Sequence, residues 1–160
     1  MDRSEDSVND RPLIRNIEYG DVESVLSIQR SSPEVAQWTA EDYNRVANGE
    51  MAGWVVVVDA HIVGFLIARQ IVSDIEILNF AVAAESRRRG IGALLLQRSL
   101  EWGSGFQAEN AILEVRASNG VALQFYERHG FKSMARRLRY YVEPADDALV
   151  LSKPLPARRL

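Results

Sequence analysis

The chain has 160 residues, enough for one domain built around one core. With 47% apolar and 26% charged residues it has an ordinary globular composition, which excludes disordered, collagen-like and coiled-coil chains. It contains no cysteine, which excludes disulfide bonds, a thiolate nucleophile and a zinc–thiolate site. Five arginines against twelve acids give residues 1–60 a net charge of −7, whereas fourteen basic residues against ten acids give residues 61–160 a net charge of +4.

The sequence contains no segment that would cross a membrane or direct secretion. Its unbroken apolar runs are short, as in residues 54–58, whereas a membrane span needs about 20 residues. Residues 1–11 are polar and charged and lack the apolar stretch of a secretory signal, so we expect a disordered lead-in there. We therefore expect a cytoplasmic protein with one domain over residues 12–156 and a tail over residues 157–160.

The first half of the chain predicts a strand, two helices and a hairpin. Apolar residues at helical spacing, including Val22 and Val25, indicate the first helix, and Pro33 follows its end. Thr39 followed three residues later by Asp42 is typical of a capping box at the start of the second helix. Two runs rich in β-branched residues flank a short turn and indicate a hairpin. These elements span residues 13–17, 21–31, 40–48, 53–59 and 62–72.

The second half predicts four strands and two helices around a glycine-containing loop. Residues 74–82 alternate as a strand does, and leucines supply the apolar face of a helix over residues 93–102. Gly130 stands where a left-handed helix cap belongs. The remaining elements are a loop over residues 83–92, strands over residues 111–115, 131–141 and 148–155, and a helix over residues 121–129. This order predicts an α/β or α+β sheet with helices on its faces.

The loop before the helix at residue 93 is the most informative segment. It follows a strand, contains Gly90 and Gly92, and carries the three arginines Arg87, Arg88 and Arg89. Glycines let successive N–H groups converge on an anion, and a helix N-terminus adds about half a positive charge, so the segment suits a phosphate or pyrophosphate. Taken alone, two such glycines more often form a tight turn beside a solvated basic run.

Two other nucleotide motifs fit the loop poorly. A P-loop needs a Gly-Lys pair, which the chain does not contain. A dinucleotide fingerprint needs a third glycine where the chain has Leu95, although Glu114 lies about 20 residues further on, where a ribose-binding acid would stand. Because 160 residues leave little room for a doubly wound dinucleotide domain, we rank this interpretation third.

The glycine loop resembles the acetyl-CoA signature of the GCN5-related N-acetyltransferases (GNAT), which reads Gln/Arg-x-x-Gly-x-Gly/Ala. Further segments resemble the bacterial ribosomal-protein alanine N-acetyltransferases, the RimI type, within that superfamily. The matching segments are residues 77–82 (ILNFAV), 87–92 (RRRGIG), 113–119 (LEVRASN), 125–131 (FYERHGF), 136–141 (RRLRYY) and 147–149 (DAL). The resemblance covers most of residues 12–156.

The resemblance implies a twisted mixed sheet whose two central parallel strands, over residues 75–82 and 111–115, splay apart to admit acetyl-CoA. Backbone groups over residues 80–82 would pair with the pantetheine arm as an added strand does. N–H groups over residues 88–93 would hold the pyrophosphate, and no metal is implied. The residues assigned to the cofactor are Phe80, Ala81, Val82, Arg87, Arg88, Arg89, Gly90, Ile91, Gly92, Ala93, Asn119 and Tyr126.

Glu114 and Tyr126 are the candidate catalytic residues. A free α-amine has a pKa of about 7.7–8.0, so a base that removes its proton would contribute roughly 10²–10⁴ in rate. Strand alternation places Glu114 on one face with Ile112 and Arg116, either as that base or as a wetted carboxylate paired with Arg116. The resemblance favours the base. It also favours Tyr126 as the acid that protonates the departing CoA sulfur, over a tyrosine that only packs.

The resemblance also implies an acceptor groove, lined by Trp38, Asn79, Glu114 and Tyr140, although Tyr140 also fits an alternating strand. The subfamily commonly has Phe-Pro-Trp-Ser at residues 36–39, where this chain has Ala-Gln-Trp-Thr, so the tryptophan is kept and the phenylalanine and proline are not. Asn119 either caps the helix that follows it or binds the pantetheine arm.

The leading hypothesis is direct acetyl transfer from acetyl-CoA to the N-terminal alanine of a small-subunit ribosomal protein. The absence of cysteine excludes a cysteinyl acyl-enzyme. The alternatives are acetylation of another amine, such as a protein lysine, a polyamine or a small molecule, and a non-catalytic acyl-CoA sensor, against which Glu114 and Tyr126 argue. We expect no nucleic-acid or membrane partner, and a monomer or weak homodimer.

Overall fold

The computed structural model describes residues 11–156, so the predicted lead-in, apart from Arg11, and the predicted tail lie outside the described residues. Strands and helices follow one another in the predicted order. They are β1 (Leu13–Asn16), α1 (Val22–Arg30), α2 (Ala40–Ala47), β2 (Ala52–Val58), β3 (His61–Ile71), β4 (Asp74–Val82), α3 (Ile91–Gly105), β5 (Asn110–Arg116), α4 (Gly120–Arg128), β6 (Lys132–Val142) and β7 (Ala145–Pro154).

The described strands form one sheet in the order β1-β2-β3-β4-β5-β7-β6. The pair β4 and β5 is parallel, and the other neighbouring pairs are antiparallel. This confirms the predicted mixed sheet with a parallel pair at its centre. The predicted hairpin is β2 and β3, which turn at Asp59 and Ala60, both of positive φ.

Helices cover both faces of the sheet. One core lies on the side of α1 and α2 and includes Tyr43 and Phe65. The other lies on the side of α3 and α4 and includes Leu66 and Leu95. Side chains of α3 pack closely on β3 at Gly64, where a β-carbon would lie 3.1 Å from Leu95 Cδ1. Within residues 11–156, none of the helices is long and apolar enough to cross a membrane.

The parallel pairing of β4 and β5 stops partway along both strands. Its last pair is Ile77 with Leu113. There the register of β4 against β3 shifts by one residue, which makes Leu78 the extra residue of a β-bulge. Beyond the bulge, β4 stays paired with β3 and β5 with β7, so a split opens between the two parallel strands.

The boundaries that differ from the sequence prediction by more than one residue are both ends of α3 and the start of β7. Helix α3 begins at Ile91 rather than residue 93, because Gly90 with φ 78° already caps it, and ends at Gly105 rather than residue 102. Part of the predicted loop over residues 83–92 forms a short 3-10 helix, Ala84–Ser86. Strand β7 begins at Ala145 rather than residue 148, since it pairs with β6 directly after a tight turn.

Candidate active site

The split exposes backbone polar groups of β4. In an antiparallel strand, these groups point alternately toward and away from the neighbouring strand. The Ala83 N–H donates to Val63 of β3, so the groups of Ala81 also point toward β3. Those of Phe80 and Val82 point into the split. Within the segment over residues 80–82, Phe80 and Val82 are therefore the residues whose backbone groups face the split, because those of Ala81 belong to the β3 ladder.

Two of the four groups in the split already have partners. The Phe80 N–H donates to the side-chain oxygen of Asn79 at 3.1 Å. The Val82 carbonyl accepts from Arg87 Nε at 3.1 Å. This leaves the Phe80 carbonyl and the Val82 N–H, one acceptor and one donor, to pair with an extended ligand.

The glycine loop ends at the open N-terminus of α3. The Gly90 carbonyl accepts from the Leu94 N–H at 3.1 Å, which closes the first turn. The N–H groups of Ile91, Gly92 and Ala93 lie in that turn, where a helix offers them no acceptor. These N–H groups therefore point out of the N-terminal end of α3, where the positive end of the helix dipole also lies. Such an arrangement binds anions.

The three arginines of the loop occupy different environments. Arg87 is tied to the protein, since it donates to Val82 and its Nη2 lies 3.8 Å from Oε1 of Glu34 in the α1–α2 loop. Arg88, with φ 64°, and Arg89 are exposed beside the N-terminus of α3. Arg88 and Arg89 thus supply charge for an anion, whereas Arg87 links the glycine loop to the α1–α2 loop.

Tyr126 of α4 lies in an aromatic cluster on the α3 side of the sheet. Its ring centroid is 5.4 Å from those of Phe125 and Phe131 and 6.4 Å from that of Phe80 in β4. Burial raises the pKa of the Tyr126 phenol, so the phenol is protonated at neutral pH. Phe80 belongs both to this cluster and to the part of β4 that borders the split, so the Tyr126 ring packs against a residue of the split.

Asn119 caps α4 with its side chain. Its Oδ1 accepts from the Ala122 N–H at 3.2 Å. Of the two roles that the sequence leaves open, the structure shows the cap, which uses the side-chain oxygen. The amide NH₂ of Asn119 is the part that remains for a ligand.

Glu114 points away from the aromatic cluster, as strand alternation predicts. Its neighbours Leu113 and Val115 are buried in the core on the α3 side. Glu114 lies on the opposite face, where α1 and α2 pack against β2, β3 and β4 rather than β5. Its side chain is 24% exposed. A carboxylate therefore lies beside the split on the face open to solvent.

The ion-pair partner of Glu114 is Arg137 of β6, with 3.3 Å between Arg137 Nε and Glu114 Oε1. Arg116, which the sequence offered as the partner, donates instead to the carbonyls of Pro144 and Glu143. Its guanidinium also stacks on the Tyr141 ring at 4.1 Å. The sequence alternative of a Glu114–Arg116 pair is therefore replaced by a pair that joins β5 to β6.

Tyr140 completes a cluster with Glu114 and Arg137. Its ring lies 5.4 Å from the Arg137 guanidinium. Hydrogen bonding with Glu114, and then the negative charge of that carboxylate, raise the pKa of Tyr140, while Arg137 acts in the opposite sense. The predicted groove residues Glu114 and Tyr140 are thus brought together, through a residue that the sequence analysis did not single out.

A buried polar network fixes the α1–α2 loop. Gln29 of α1 both donates to and accepts from the backbone of Trp38, at 2.9 and 3.1 Å. The Tyr43 hydroxyl donates to Gln29 and accepts from Asn79 at 2.9 Å, and Asn79 also donates to the Ala36 carbonyl at 3.0 Å. Asn79 is buried and its amide is occupied, so it holds the loop that carries Trp38 instead of facing a groove.

Sequence reasoning missed Gln29, Tyr43 and Arg137. One signal was present for Gln29, because it falls on the apolar face of α1, where an amide needs a buried partner. Tyr43 and Arg137 carried no such signal. Their partners come from other elements of the fold.

A cleft of about 980 Å³ lies away from this site. Its lining includes Asn16, Arg69 and Trp102, near the start of β4 instead of its end. Two of its lining residues, Arg45 and Glu50, form an ion pair with 2.8 Å between Nε and Oε2.

The geometry places a possible proton acceptor and a possible proton donor on opposite faces of the sheet. A carboxylate lies on the open face of the split, and a protonated phenol lies on the α3 side. Between them, backbone groups and a helix N-terminus can hold an extended anionic molecule. A ligand threaded through the split would have a proton acceptor on one side and a proton donor on the other.

Comparison with known proteins identifies relatives of this chain. The family model described as "Acetyltransferase (GNAT) family" matches residues 21–131. An N-alpha-acetyltransferase from Sulfurisphaera tokodaii is 30% identical over 161 residues, which cover 89% of this chain and 92% of the relative. A ribosomal protein bS18-alanine N-acetyltransferase from Salmonella typhimurium is 30% identical over 99 residues, which cover 61% of this chain and 67% of the relative.

A solved structure shares the fold. The crystal structure of Arabidopsis thaliana NAA60 in complex with acetyl-CoA superposes with a TM-score of 0.81 at 21% identity, covering 91% of this chain and 99% of that chain.

Proposed function

The chain belongs to the acetyltransferase (GNAT) family, and from this premise we propose that it acetylates the α-amino group of a protein that begins with alanine. The proposed acceptor is a small-subunit ribosomal protein. The observation that carries the proposal is the carboxylate of Glu114 on the open face of the split, beside the proposed donor site. The names of the two relatives, an N-alpha-acetyltransferase and a ribosomal-protein alanine N-acetyltransferase, support an N-terminal amine.

The groups in the split fit acetyl-CoA, which supplies the acetyl thioester. The Phe80 carbonyl and the Val82 N–H match the amide groups of an extended pantetheine arm. The first turn of α3 matches the pyrophosphate, and Arg88 and Arg89 add positive charge beside it. The NH₂ group of Asn119 adds a donor from the start of α4.

In this proposal Glu114 is the base. An α-amine with a pKa of about 7.7–8.0 is largely protonated at neutral pH and cannot attack a thioester in that form. The Glu114 carboxylate takes the proton, directly or through a water molecule, which contributes roughly 10²–10⁴ in rate. Holding the amine against the thioester contributes several kcal/mol more, of the order known for well-oriented reactions.

Tyr126 is the acid in the same proposal. As the nitrogen–carbon bond forms and the carbon–sulfur bond breaks, the sulfur gains negative charge. The Tyr126 phenol, kept protonated by burial, donates its proton to that sulfur. The acceptor enters between the α1–α2 loop with Trp38 and strand β6 with Tyr140.

Acceptor choice tests the proposed function directly. We would measure kcat/KM with acetyl-CoA for a peptide that begins with alanine, for the same peptide with a blocked α-amine and one internal lysine, and for spermidine. Mass spectrometry locates the acetyl group. The proposal expects the α-amine to be preferred by about 10-fold or more. Equal turnover of the three acceptors, or no turnover of the α-amine, contradicts it.

A further inference from the structure

We propose that Arg137 determines specificity by exchanging partners: it leaves Glu114 when the acceptor binds and then donates to the carbonyl oxygen of the first acceptor residue. The exchange selects α-amines over lysine side chains and polyamines. This inference rests on the proposed function, because it needs Glu114 to meet the amine.

Arg137 occupies the place that an incoming ammonium needs. Its Nε lies 3.3 Å from Glu114 Oε1, and the Arg137 side chain is 57% exposed against 24% for Glu114. The guanidinium is thus the more exposed member of the pair and lies directly beside the carboxylate. A cationic acceptor that reaches Glu114 must displace it, and one positive charge then replaces another beside the carboxylate.

Arg137 is also held less firmly than the nearby arginines Arg116 and Arg136. Arg136 binds Asp147 through Nε and Nη2, both at 2.7 Å, and Arg116 donates to two backbone carbonyls. Within residues 11–156, the side chain of Arg137 has only the 3.3 Å contact with Glu114 and the Tyr140 ring at 5.4 Å. A half-exposed ion pair of this kind contributes little stability, so exchange is inexpensive.

The displaced guanidinium stays next to the reacting amine, and its fork of N–H donors needs an acceptor. A peptide α-amine carries one, since the carbonyl of the same residue is two bonds away. A lysine ε-amine is surrounded by methylene groups and offers none. A polyamine brings a second ammonium, which Arg137 repels. The same side chain thus favours one class of acceptor and disfavours two others.

The test compares acceptors across matched variants. We would measure kcat/KM for the alanine peptide and for the blocked lysine peptide with wild-type protein, Arg137→Gln, Arg137→Lys and Arg139→Gln. The last variant is the control, because it removes the same positive charge from the same strand. Arg139 is bonded to Asp147 only through its backbone N–H, so its side chain can be changed without loss of that hydrogen bond. The midpoint of thermal unfolding, compared with that of the wild-type protein, checks that each variant is folded.

We expect Arg137→Gln to lower kcat/KM for the α-amine by about 10- to 100-fold, the range for losing a charged hydrogen bond. The value for the lysine amine should stay the same or rise. Arg137→Lys should recover part of the preference, and Arg139→Gln should keep all of it. An equal fall for both acceptors, or a fall matched by Arg139→Gln, overturns the inference. Failure of the proposed function looks different, since the wild-type protein itself would then show no α-amine preference.

Discussion

At the scale of single residues, the Glu114 cluster has a spectroscopic signature that does not depend on activity. Glu114 raises the pKa of Tyr140 through hydrogen bonding and charge, whereas Arg137 lowers it. Changing either residue must therefore shift the titration of the Tyr140 phenol, and the two changes must shift it in opposite directions.

We expect Glu114→Gln to lower the pKa of Tyr140 and Arg137→Gln to raise it. Glutamine removes the negative charge in the first case and the positive charge in the second. Carbon-13 labelled tyrosine, followed by NMR through the alkaline range and assigned with Tyr140→Phe, gives the measurement. Shifts of the same sign in both variants would show that the three side chains do not form this cluster.

At the scale of elements, the glycine loop and α3 act as one anion-binding unit, in which the two glycines have different roles. Gly90 has a φ of 78°, a conformation that L side chains rarely adopt. Gly92 has an ordinary helical position, and a β-carbon there would lie 3.4 Å from Phe125 Cε2, an ordinary contact. Conformation therefore favours glycine at the first position, while the second position also has room for alanine.

We expect Gly90→Ala to lower the free energy of unfolding by about 1–2 kcal/mol, the strain of an alanine with left-handed backbone. It should also raise KM for acetyl-CoA, since the first turn of α3 is displaced. Gly92→Ala is the matched control and should be neutral or stabilising by up to about 1 kcal/mol, because alanine favours a helix. Urea unfolding and initial rates measure both; equal losses in the two variants would contradict this division of roles.

The same scale shows why part of the site is predictable from sequence. The face of Glu114 follows from alternation along one strand, and the cap of α2 follows from the local pair Thr39 and Asp42, whose reciprocal hydrogen bonds the structure contains. These patterns are local, so tertiary packing does not alter them.

The partner of Glu114 was not predictable for a physical reason. Strand β6 changes register against β7 twice, after Ser133 and after Arg137, so simple alternation along it fails. The network of Gln29, Tyr43 and Asn79 likewise depends on how α1 and α2 pack on β4. Both features arise only when distant elements meet.

At the scale of the whole molecule, the charge asymmetry of the sequence becomes a division within one groove. Glu34 of the acidic first third lies in the α1–α2 loop, and Arg137 of the basic remainder lies on β6. In the proposed function the acceptor enters between the α1–α2 loop and β6, so one of these residues lies on each side of it. In the same proposal, Arg88 and Arg89 place further positive charge beside the anionic cofactor.

In the proposed mechanism a base and an acid lie on opposite sides of the split sheet, and Glu114→Gln removes the base. The measurement is kcat/KM for the alanine peptide from pH 6 to pH 9, with Tyr126→Phe as the comparison variant. We expect Glu114→Gln to lower kcat/KM by roughly 10²-fold or more near neutral pH. The loss should shrink as the pH rises past the amine pKa of about 7.7–8.0, where the acceptor needs no base. Tyr126→Phe should lower the rate without this recovery and leave acetyl-CoA binding largely intact. A Glu114→Gln variant with the wild-type rate and the wild-type pH profile would contradict the account.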